Sequence, residues 1–125
     1  MKLTLALILA LTAPAFAKDA HFWTREQRFT AVAMAAEVSI DGYTTQAIRG
    51  YGGRELDPIA APMVHRGTAG QVVASTLGVA SLLATQYLLH KAGHPRRAKW
   101  AGRAALMGEG LNCARQIQVL KEWKR

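Results

Sequence analysis

The sequence predicts an all-α fold, a bundle of three long helices behind an N-terminal signal segment. Three observations carry that prediction. Half of the residues are hydrophobic while aromatic residues make up only 7%, so the apolar content is mostly Ala, Leu and Val, which suits closely packed helices. Two tetrapeptides, Thr24-Arg25-Glu26-Gln27 and Thr68-Ala69-Gly70-Gln71, have the capping-box form that opens a helix. No strand-like alternation of useful length and no repeat period is present in the sequence. A chain of 125 residues is enough for one domain, and the hydrophobic content excludes an intrinsically disordered protein.

The elements follow in order. Residues 1–17, MKLTLALILALTAPAFA, have the three parts of a secretory signal: Lys2 at the start, an apolar run from Leu3 to Leu11, and Ala15-Phe16-Ala17 as a small-x-small cleavage site after Pro14. The alternative, an uncleaved anchor helix, needs a longer apolar run of about 20 residues. Residues 18–125 then form a single helical domain. The first helix is expected over 25–49, ending at Gly50 and a flexible Tyr51-Gly52-Gly53. Asp57-Pro58 opens a short helical turn over about 58–64. The second long helix is expected over 69–92 with Gly93 as its C-cap, and the third from Pro95 over 95–122.

The second long helix lies within the sharpest signal. From Gly67 to Leu89 there are 23 residues without a charge, bracketed by His65-Arg66 and His90-Lys91. At about 1.5 Å per residue this run spans the hydrocarbon core of a bilayer, and Gly70, Ala74, Gly78 and Ser81 form a small-residue ridge on which another helix could approach. The competing assignment is the wrapped central helix of a soluble bundle. In the first helix Phe29, Val32, Ala36, Ile40, Tyr43 and Ala47 form an apolar face, with Glu37, Asp41 and Thr44 on another ridge. In the third, Trp100, Ala104, Met107, Leu111 and Ala114 form an apolar stripe and Glu109, Asn112 and Gln116 a polar one. If these helices also span a bilayer, their carboxylates must face inward.

Charge is lopsided. Residues 18–89 are neutral overall, with six basic and six acidic groups, whereas residues 90–125 hold nine basic groups against Glu109 and Glu122. The densest part, His90 to Lys99, is a solvated hinge, a juxtamembrane segment or a nucleic-acid patch; the scarcity of interleaved aromatics disfavours nucleic acid.

No catalytic residue and no cofactor motif can be assigned. Cys113 is the single cysteine, so no internal disulfide is expected, and packing is its expected role. The four histidines, at 21, 65, 90 and 94, fall near helix ends. Glu37, Asp41 and Glu109 are the weak candidates for a metal or a shared proton, but the Glu-x-x-His pair of carboxylate bundles is replaced here by Glu109-Gly110-Leu111-Asn112. The structural alternative has Asp41 bonded to Thr44 or Thr45 and Glu109 paired with an arginine, for which Arg103 and Arg49 are the available cations.

The run Asp41-Gly42-Tyr43-Thr44-Thr45, then Gly52-Gly53-Arg54-Glu55-Leu56-Asp57-Pro58, then a small-residue apolar helix, then Glu109 with Asn112 resembles a family of small bacterial multi-helix membrane proteins with a domain of unknown function. Their pattern is Asp-x-x-Thr-Thr and Gly-x-x-Glu-x-Asn-Pro; Asp57 stands where the family has Asn. The resemblance implies a compact membrane bundle whose polar motif residues (Asp41, Thr44, Thr45, Glu55, Asp57, Pro58, Arg103, Glu109 and Asn112) gather near one end. The expectation is therefore an exported, inner-membrane structural or accessory protein, in contact with lipid and with a partner membrane protein or a second copy. The alternatives are a carboxylate-based ion- or metal-handling membrane protein and a soluble periplasmic bundle whose basic half meets an anionic surface.

Overall fold

The computed structural model describes residues 19–53 and 58–125. Four helices follow one another: α1 (Arg25–Gly50), α2 (Ala61–Val64), α3 (Thr68–Lys91) and α4 (Pro95–Trp123). No strand occurs among the described residues. The expected 1–17 signal segment lies outside them, as do Glu55 and Asp57.

The three long helices pack pairwise into an up-down-up bundle. Cross-helix bonds give the directions: Gln27 near the start of α1 meets Gln86 near the end of α3, and Gln46 near the end of α1 meets Gln71 near the start of α3. Glu26 meets Arg103 near the start of α4, while Thr44 meets Gln116 further along it. One end of the bundle therefore gathers the start of α1 and the α3–α4 turn. The other gathers the end of α1, α2 and the end of α4.

Helix ends explain the boundaries. Thr24 caps α1, its Oγ1 accepting from the Gln27 N–H at 3.2 Å. Both α1 and α3 end in a Schellman turn. Gly52 at φ +90° lets the Gly53 N–H reach the Ile48 carbonyl, and Gly93 at φ +81° lets the His94 N–H reach the Leu89 carbonyl. Only glycine takes that backbone conformation without steric cost. Gly52 is thus the residue that closes α1, and Gly50 belongs to the helix. The second predicted capping box is absent: Gly67 is the N-cap of α3, and Thr68 is its first residue. The predicted 58–64 turn narrows to 61–64, with Pro58 exposed in the turn before it.

Before α1, residues 19–24 fold across the α3 end. The Asp19 Oδ1 accepts from the His21 and Phe22 N–H groups, its other oxygen meets Lys91 Nζ at 2.7 Å, and the Phe22 ring packs edge-on against Trp23, Tyr87 and His90. Burial of Phe22, 4% exposed, anchors this strap.

The core of the bundle is small. Ala31, Met34, Ala35 and Val38 of α1 meet Val79 and Leu83 of α3, with Trp23, Leu82, Ala105 and Leu106 packed around them.

Candidate functional site: polar seams between the helices

Beside its small apolar core the bundle buries an unusual number of polar side chains and turns apolar stripes outward, unlike a typical soluble bundle. Buried inside it are Gln27, Thr30, Ser39, Thr44, Thr45, Gln71, Ser75 and Gln86. Exposed outside are Phe29, Val32 and Tyr43 of α1, Val73, Leu77 and Leu88 of α3, and Trp100, Met107 and Leu111 of α4. Every residue of the predicted α4 stripe, from Trp100 to Ala114, is on the outside. On α1 the predicted apolar face likewise looks outward, with Ala36, Ile40 and Ala47 half-buried at its margin. Of the polar ridges, Thr44 is buried and Glu37, Asp41, Glu109 and Gln116 are half-buried, while Asn112 is exposed. Side chains 3.6 residues apart share a helix face, so once Gln27, Val38 and Thr45 point to the core, Phe29, Ile40 and Ala47 cannot.

Three polar clusters tie the helices together. At the α3–α4 end Gln27 and Gln86 exchange amide bonds of 2.9 and 3.1 Å, and the Gln86 amide also donates to the Ala98 carbonyl at 2.9 Å. Gly102 leaves the room for this, because a Cβ there would strike Gln86 Nε2 and Thr30 Cγ2. Between α1 and α3 the Gln46 amide donates to Gln71 Oε1 and to the Val64 carbonyl, which also accepts from Arg49 at 2.6 Å. The first capping box is therefore half formed, since Thr24 accepts from the Gln27 N–H but the Gln27 side chain bonds Gln86, and the second is overturned, since Gln71 serves the helix interface instead of its own helix end.

The third cluster lies between α1 and α4. The Asp41 carboxylate accepts from Asn112 Nδ2 at 3.0 Å and Gln116 Nε2 at 2.5 Å. The Thr44 hydroxyl bonds Gln116 Oε1 and lies within bonding distance of its own helix carbonyls at 40 and 41; Thr45 reaches the same Gln116 oxygen at 3.4 Å. The expected Asp41–Thr44 pairing therefore runs through the Asp41 backbone carbonyl. Cys113, buried, donates to the Glu37 carbonyl at 3.2 Å. Glu37 and Glu109 lie along the same seam, Glu37 Oε1 closing on Gly110. The weak candidates Glu37, Asp41 and Glu109 are thus neighbours, yet no group of three or more His, Cys, Asp or Glu among the described residues is placed to hold one metal ion.

Glu109 forms no salt bridge among the described residues. Arg103 instead binds Glu26 at 2.8 Å, with Lys99 Nζ 3.7 Å from the same carboxylate. That correction has a geometric cause: Arg103 and Glu109 are six residues apart, which turns them to different sides of α4. The Arg103 hydrogen bond holds the Glu26 carboxyl below its ordinary value. The Lys91 hydrogen bond does the same for Asp19 and raises Lys91 in return.

The resemblance led the motif residues to be expected near one end. Asp41, Thr44, Thr45, Glu109 and Asn112 do meet, but in the half of the α1–α4 seam away from the α3–α4 turn, while Arg103 sits by that turn with Glu26. The inter-helix glutamines Gln46, Gln71 and Gln86 were not singled out as site residues. Their signal in the sequence is placement: each is an amide in an apolar or small-residue stretch, and Gln71 and Gln86 lie opposite Gly42 and Gly102.

These features define a class, a three-long-helix bundle with a hydrogen-bonded interior. Comparison with family models, curated proteins and solved structures finds no match to the chain.

Proposed function

We propose that the chain is a small, exported, membrane-embedded helical protein with a structural or accessory role, its three long helices crossing the bilayer together. The outward apolar stripes carry this: all three long helices expose large apolar side chains, while eight polar residues are buried beside the apolar core. Water rewards the opposite arrangement, whereas lipid leaves small residues and cross-helix hydrogen bonds to hold helices together.

Further features support the same placement. α3 is long and apolar enough to cross a membrane, the one such helix among the described residues. All three Trp and all three Tyr fall toward the bundle ends: Trp23, Tyr87 and Trp100 toward one, Tyr43, Tyr51 and Trp123 toward the other. Trp100 and Trp123 are 23 residues apart, about 34 Å of helix, close to the interface-to-interface distance that aromatic belts mark. Within α1 the residues from Phe29 to Ile48 carry only Glu37 and Asp41 as charges. On α4 the apolar stretch is shorter, so Arg115 must run its stem toward the nearer end.

Signal cleavage with three spans places the α3–α4 turn outside the cytoplasm and the C-terminus inside. A single cysteine at His94, in a Cys113→Ala background, tests this. Labelling by an impermeant reagent in intact spheroplasts, from a protein that resists alkaline carbonate, is the expected result. Release by carbonate overturns membrane embedding, and protection of the His94 cysteine until lysis overturns the three-span arrangement.

A further inference from the structure

Between α1 and α3 lies a half-open cleft of about 150 Å³ lined by Ser39, Gly42, Gln46, Gln71, Val72 and Ser75 among others. An apolar cavity of this volume admits a ring the size of benzene. Its lining carries no charged side chain, so an ion has no counter-charge there and a neutral occupant is favoured.

The hydrogen-bonding inventory of the walls decides what kind of neutral group fits. Ser39 Oγ donates its proton to the Ala35 carbonyl at 2.7 Å, and Ser75 Oγ faces the Val38 carbonyl at 3.5 Å. Both Gln46 donors are engaged, by the Val64 carbonyl and by Gln71 Oε1. Gln71 itself is only 7% exposed, its oxygen is taken by Gln46, and its amide nitrogen makes no hydrogen bond among the described residues. That nitrogen lies beside Gly42, where a Cβ would come within 2.9 Å of Gln71 Cγ and displace the side chain. The amide donor of a nearly buried residue is thus seated at the cleft by a glycine, and an amide carries two N–H groups that can serve an acceptor there.

We infer that the α1–α3 cleft binds the neutral, carbonyl-bearing head of a membrane-soluble molecule, the carbonyl accepting from Gln71 Nε2. A quinone ring and the acyl ester of a glycerolipid both present that chemistry on an apolar tail, and the tail would leave through the open side of the cleft. This rests on the membrane placement proposed above.

The test uses the whole protein in nanodiscs, read by the side-chain amide resonances of Gln71 and by titration. Discs of ether-linked phospholipid contain no ester carbonyl, so decylubiquinone added to them reports the quinone source alone. Replacing ether-linked by ester-linked phospholipid, without quinone, reports the ester source. A saturable shift of the Gln71 amide in either arm is expected. Gln71→Met, which removes the donor, and Val72→Phe, which fills the cleft, should each weaken binding at least tenfold, followed in the variants by the backbone amide of Gly42 in the cleft wall, while helical content stays at the wild-type level. No Gln71 shift in either arm overturns the inference, as does wild-type affinity in both variants. Should a variant fail to fold, the wild-type Gln71 resonances alone decide. Entry into discs without a shift refutes only the cleft assignment, whereas a protein that stays out of the discs refutes this inference together with the membrane placement.

Discussion

Gln86 has no exposed surface and serves two partners at once, the Gln27 amide and the Ala98 carbonyl. Gln86→Leu keeps much of the volume but leaves those groups unpaired, so a loss of about 1–3 kcal/mol is expected, measured by unfolding in detergent micelles. Gly102→Ala should give a comparable loss, about 1–3 kcal/mol, because its Cβ would occupy space held by Gln86 and Thr30. Gly108→Ala is the matched control: nothing lies within 4 Å of its Cβ position, so the substitution should be neutral or stabilise the helix by up to about 1 kcal/mol. Equal losses at the two glycines would contradict the packing described at Gly102. Asp41→Ala removes the acceptor shared by Asn112 and Gln116 and should cost about 1–3 kcal/mol. An unchanged melting temperature would show that these bonds add nothing over solvation.

The elements themselves were largely legible in the sequence, because caps and glycines are local signals. Thr24, Gly93 and Pro95 mark the observed boundaries to within a residue or two. Gln27 and Gln71 misled for a physical reason: a capping box and an inter-helix glutamine have the same local sequence, and only the neighbouring helix distinguishes them. The direction of each face was also beyond periodicity, which separates an apolar from a polar stripe without stating which one looks inward. Likewise, the Arg103–Glu26 pair depends on the lateral register of α1 against α4, which no local pattern encodes. At the strap over α3 the Asp19 carboxyl is held below its ordinary value by Lys91, and at the adjoining start of α1 the Glu26 carboxyl is held below its own by Arg103. A carboxyl depressed by folding adds stability that is present above its unfolded value and lost as pH falls through the folded one. The strap should therefore stay docked at neutral pH and loosen below about pH 4, read as faster amide exchange at Phe22 and Trp23. Exchange that is independent of pH, once corrected for intrinsic rates, would contradict the ion pairs' role.

For the molecule as a whole, polar seams make the fold specific and apolar stripes set its surroundings. Three long helices meet over a core made largely of Ala, Val, Met and Leu, and hydrogen bonds between helices fix their register. Stripes such as Trp100, Met107 and Leu111, 65%, 68% and 72% exposed in the bundle, would form a large uncovered patch in water and an ordinary surface in lipid. The sequence contained both stripes, and their meaning depended on knowing that Asp41, Thr44 and Gln116 meet inside. The most direct measurement is therefore the reactivity of Met107→Cys and Leu111→Cys, each in a Cys113→Ala background, toward an impermeant maleimide in native membranes. Membrane embedding predicts that both thiols stay unmodified until the bilayer is dissolved and the protein denatured, although neither side chain is covered by the bundle. Prompt modification of either one in intact, lysed membranes, at the rate of a cysteine at His94, would contradict it.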